Sequence, residues 1–88
     1  MKKYTFILNL RGGTYISQVE EVDIKLAMFK WAKNIDTKSV QYLGQYTKNQ
    51  IIELMEEEEP VLIEGMNNVW CICGRLKVGF FIANVVES

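Results

Sequence analysis

The chain has 88 residues, 49% of them hydrophobic, which is material for one core and too little for two. Its net charge of −1 excludes the basic surplus expected of a general nucleic-acid binder, and the absence of histidine removes the commonest acid–base group near neutral pH. No apolar run approaches the ~20 residues of a membrane-spanning helix, and Met1-Lys2-Lys3 leads into a strand pattern rather than a cleavable leader, so a single cytoplasmic domain over residues 1–88 is expected.

The near-neutral sum conceals a separation. Residues 1–48 carry eight Lys and Arg against four acids, and residues 49–88 carry two against seven. Opposed charge of this kind can steer association between copies or with a charged partner.

Tyr4, Phe6, Leu8 and Leu10 alternate with Thr5, Asn9 and Arg11, the period of a half-buried strand, with Ile7 as the exception. Gly12-Gly13 then reads as a two-residue hairpin turn, which pairs Leu10 with Tyr15, Leu8 with Ser17 and Phe6 with Val19. The single Arg-Gly-Gly between two strand patterns is a turn rather than an RNA-binding repeat.

From Asp23 to about Ile35 the period changes. Asp23 is a candidate N-cap, and Ile24, Ala27, Met28, Trp31 and Ile35 form one helical stripe opposite Lys25, Lys30 and Lys33. Leu26 falls among the lysines. Residues 36–46 carry no pattern that predicts an element. A second helix follows, with Thr47 and Gln50 at capping-box spacing and Tyr46 with Ile51 as the flanking staple. Ile51, Leu54 and Met55 face inward, and the helix stops before Pro60.

Beyond Pro60 the chain is β again. Val61–Glu64 is a short strand, Gly65 to Asn68 a turn, and residues 69–75 and 80–86 a hairpin about Lys77-Val78, with Cys73 opposite Ile82 and Cys71 opposite Asn84. The fold class is α+β: an antiparallel sheet of about five strands in the order β-β-α-α-β-β-β, with two helices packed on one face.

Three features invite a function. Cys71 and Cys73 share a strand face, with Cα atoms ~6.6 Å apart at strand rise and parallel Cβ vectors, which disfavours a disulfide. With no histidine and no third cysteine they make no complete zinc site, and small buried hydrophobes is the simpler reading. No catalytic group, metal or cofactor is therefore expected. The alternative is a small carboxylate- or metal-dependent enzyme, or a small-molecule-binding protein, drawing on Tyr4, Tyr15, Tyr42 or Tyr46.

The second feature is acidic. Glu56 to Glu59 crowd a helix C-terminus, where negative charge opposes the macrodipole, and with Glu53 one turn earlier they form a candidate surface for a basic protein partner. The plainer reading is a solvated helix end.

The third is the last hairpin, apolar on both faces. One face carries Trp70, Ile72, Phe81, Ala83 and Val85; the other carries Val69, Cys71, Cys73, Phe80, Ile82 and Val86. Either the hairpin is central in a sheet that curls so that both sides are covered, or its outer side is an association surface; with only two helices for five strands the second is expected, with Trp70, Ile72, Phe81 and Val85 as a homodimer interface. The expected function is a non-catalytic protein-binding domain, homodimeric, with an immunity-type inhibitor as one version; neither nucleic acid nor membrane is an expected partner.

Overall fold

A computed structural model describes residues Met1–Ser88. The chain runs β1 (Lys2–Leu10), β2 (Gly13–Glu21), α1 (Ile24–Asn34), α2 (Gln45–Glu57), β3 (Val61–Leu62), β4 (Val69–Leu76) and β5 (Gly79–Glu87). All five strands join one antiparallel sheet in the order β2-β1-β5-β4-β3, with both helices on one face.

The first hairpin turns one residue earlier than the glycine pair suggests. Arg11 (φ 48°) and Gly12 (φ 83°) both take the left-handed conformation that a two-residue hairpin loop of matching twist requires. Gly13 is instead paired with Leu10, Leu8 faces Tyr15, and Tyr4 faces Val19. The register differs by two residues, an even number, so the apolar faces still coincide.

Asp23 caps α1 as its position predicts, accepting the Leu26 N–H at 2.9 Å. Ala27, Met28, Trp31 and Ala32 are buried, and the Trp31 indole stacks on the Phe6 ring with centroids 4.8 Å apart. The patternless segment after α1 is held by Asp36, whose carboxylate accepts the Ser39 hydroxyl (2.8 Å) and the Lys38 N–H (3.0 Å).

α2 begins at Gln45 with Gly44 as its cap, three residues before the Thr47 cap expected. Thr47 lies inside the first turn and is buried, so the Thr47–Gln50 capping box is not made. The Gln50 side-chain oxygen Oε1 has another donor, the Lys77 N–H in the β4–β5 turn at 3.2 Å. Ile51 and Met55 are fully buried, as the stripe predicts.

The last hairpin has the expected register, with Arg75 opposite Phe80 and Cys71 opposite Asn84. β5 also pairs with β1, placing Phe6 beside Val85, Leu8 beside Ala83 and Leu10 beside Phe81 in one core layer under the helices. β3 keeps only two residues, the Ile63 N–H still reaching the Val69 carbonyl at 2.9 Å. No helix is long and apolar enough to cross a membrane.

Candidate functional site: the uncovered face of the sheet

The β1–β5 pairing decides which side of the last hairpin faces the helices. Ile72, Phe81 and Val85 are 2%, 0% and 0% exposed, and Trp70 is half-buried with its ring 6.1 Å from that of Tyr4. The expected dimer interface of Trp70, Ile72, Phe81 and Val85 is thus corrected: these side chains fill the core beneath α1 and α2. Both faces of the hairpin are apolar, so its own pattern carried no parity; the neighbouring strand supplied it.

The opposite face has no element over it. Cross-strand pairing arranges it in rows. The middle row reads Ile16, Ile7, Asn84, Cys71 and Val61 across all five strands. On one side lie Gln18, Thr5, Val86 and Val69, and on the other Thr14, Asn9, Ile82 and Cys73. None of these thirteen residues is charged, in a chain of which 24% is. Charge returns only at the ends of the strands, at Arg75 beside Phe80 and at Lys3 beside Glu20.

Ile16 and Val61 are 67% and 66% exposed, and Phe80 51%. On the β1–β2 side the polar members satisfy one another: the Thr14 hydroxyl donates to Asn9 Oδ1 (2.8 Å), and Gln18 Nε2 donates to Thr5 Oγ1 (2.9 Å). The Asn84 side-chain amide takes part in none of the chain's hydrogen bonds. It stands between Ile7 and Cys71, at the middle of the face.

Cys71 and Cys73 both lie on this face as free thiols. Burial, and secondarily the neighbouring Cys73, push the Cys71 thiol above its ordinary value, so it stays protonated near pH 7. No three Cys, Asp or Glu side chains of the chain converge as a metal-ligand group.

The five expected partner-binding glutamates are all exposed, but they divide. Glu53, Glu56 and Glu57 lie on α2 with the spacing of one helix face. Glu58 is the C-cap and Glu59 lies beyond it. There the Lys25 ammonium donates to the Glu58 carbonyl and sits 3.7 Å from the Glu59 carboxylate.

The tyrosines considered for a small-molecule site each have a separate structural role. Tyr4 is in the core, its hydroxyl pushed up by burial and then by Glu87. Tyr15 accepts the Gln41 N–H at 3.2 Å. Tyr42 lies under the Arg11 guanidinium at 4.4 Å, and Tyr46 under Lys77 at 5.6 Å. Tyr15 also lines a crease of about 390 Å³ between β2 and the end of α1, where Asp36 and Ser39 are committed to each other.

Sequence reasoning missed Ile7, Ile16 and Asn84 as parts of one surface. The signal was present in Ile7, the single break in the alternation of β1. The chain matches no protein-family model, no curated protein and no solved structure.

Proposed function

We propose that this chain is a non-catalytic binding module that pairs with a second copy of itself by stacking the uncovered faces of two sheets. The observation that carries the reading is the three adjoining rows without a charge. The water-facing side of a half-covered antiparallel sheet is ordinarily polar, and depletion of charge is the compositional mark of an interface core. A neutral face offers little to a charged partner but is complementary to itself, as a symmetric contact requires.

The area fits. Four strands of eight or nine residues make a face of roughly 20 Å by 30 Å, about 600 Å² before side-chain relief is counted, near the ~800 Å² per partner of ordinary stable interfaces. Two such faces would lie ~10 Å apart, the packing distance of a β-sandwich.

Sedimentation velocity from about 1 µM to about 200 µM tests this, a range that brackets micromolar affinity. The wild-type mass should rise toward a dimer, and Ile82→Lys should hold the chain monomeric with its thermal unfolding unchanged. A wild type that stays monomeric throughout removes the reading.

A second partner surface is favoured by one observation: Glu53, Glu56 and Glu57 stand exposed on α2, on the helix side of the sheet and away from the proposed dimer face. By charge they suit a basic protein, as an immunity-type inhibitor would cover. Such a partner should be recovered by wild type and by Ile82→Lys, and lost with Glu53→Lys/Glu57→Lys. Equal recovery by all three would remove the acidic face from the account.

A further inference from the structure

We infer that Asn84 lies on the two-fold axis of the pair, where its carboxamide bonds the same carboxamide of the second copy and sets the register of the two sheets; this rests on the face-to-face dimer proposed above. Three observations converge on the position. β5 is the third of five strands in the sheet, and Asn84 occupies the middle of the three uncharged rows, so it marks the centre of the patch. Its flanks are apolar or weakly polar, with Ile7 and Cys71 across the strands and Ile82 and Val86 along its own. Its amide has no partner within the chain, whereas the face's other polar side chains on β1 and β2 are hydrogen-bonded in pairs.

When a patch pairs with itself about an axis through its centre, the residue at that centre meets its own copy. Most polar groups are poorly matched to themselves. A carboxamide is the exception, because it carries both donor and acceptor and two of them can exchange a reciprocal pair of hydrogen bonds. The alternative is a dry amide, and an unsatisfied polar group left buried is strongly unfavourable. A slide of one sheet over the other by one position, along the strands or across them, would strand both amides against Ile, Val or Cys. One buried polar residue thereby selects one register from several of similar apolar contact, as a lone Asn does between helices of a coiled coil.

The test exploits self-contact. Asn84→Asp and Asn84→Lys should each lose the dimer, by at least about tenfold in dissociation constant, because each sets like charges on the axis. Mixed in equal amounts, the two variants should form a heterodimer at least as tight as the wild-type pair, read by sedimentation velocity. Thermal unfolding of each variant confirms the fold, the substitution being on the uncovered face.

Single variants that dimerise as wild type does, or a mixture that stays monomeric, would overturn the axial position. Either result leaves the face itself standing if Ile82→Lys abolishes the dimer. A dimer indifferent to Ile82→Lys, or no wild-type dimer, would overturn the face and the axis together.

Discussion

Gly74 is on the helix-facing side of β4, and what it lacks is what matters. A Cβ there would lie 3.0 Å from Phe81 Cε1 and 3.2 Å from Leu54 Cδ1, so the bare backbone lets α2 settle onto the sheet. Gly74→Val should destabilise by about 1–3 kcal/mol in urea unfolding, the ordinary effect of overpacking, and Gly74→Ala by less, because the Leu54 methyl can yield. An unchanged midpoint for Gly74→Val would mean that α2 is not seated there. Asp36 acts through charge instead. The Ser39 hydroxyl, then the Lys38 N–H, hold its carboxyl below the usual range. A depressed folded value means stability that is complete above the unfolded value and is lost as pH falls through the folded one. Asp36→Asn should therefore weaken the protein at neutral pH and flatten its acid limb below about pH 4, read as the difference between melting temperatures across pH.

At the scale of the element, α2 ends badly by its own sequence and is rescued from outside. Its last turn carries no basic residue, and glutamates crowd the negative end of the dipole. Lys25, at the start of α1, supplies the cation by binding the Glu58 carbonyl and approaching Glu59. Lys25→Gln should destabilise by about 0.5–1 kcal/mol at low salt, with the difference shrinking as salt is added. A difference insensitive to salt would point to lost packing of the lysine stem instead. This pairing spans 33 residues of chain, which is why Glu56 to Glu59 look unsupported in the sequence. The same reason separates what was legible from what was not. The cap at Asp23, the α1 stripe and the Arg75–Phe80 register depend on near neighbours, and periodicity exposed them. The Gln50 side chain, read as part of a capping box, serves a turn 27 residues away, and the first hairpin turns on Arg11, rather than Gly13, adopting positive φ. Arg11 holds that conformation while its guanidinium reaches the Val78 carbonyl (2.9 Å) and covers Tyr42, contacts no local pattern announces.

In the whole molecule the basic first half and acidic second half are folded against each other. Lys25–Glu59 and Lys2–Glu87 both cross between the halves, so part of the opposed charge is met inside one chain. What stays uncovered, beside the exposed glutamates of α2, is the neutral face. Its existence was legible from the doubly apolar hairpin; its side was not, because parity came from β1 lying beside β5. That choice places Cys73, exposed, and Cys71, half-buried, on the face proposed to pair. The two thiols then report on the pairing without any substitution. Cys71 is held protonated by burial, so a maleimide should modify Cys73 first, thiolate being the reactive form. In a stacked pair Cys73 is covered, and its second-order rate with the reagent should fall as protein concentration passes through the range where dimers form. Ile82→Lys should show one rate at every concentration. If wild-type Cys73 reacts equally fast as monomer and as dimer, the copies meet through some other surface and the uncharged rows stay in water.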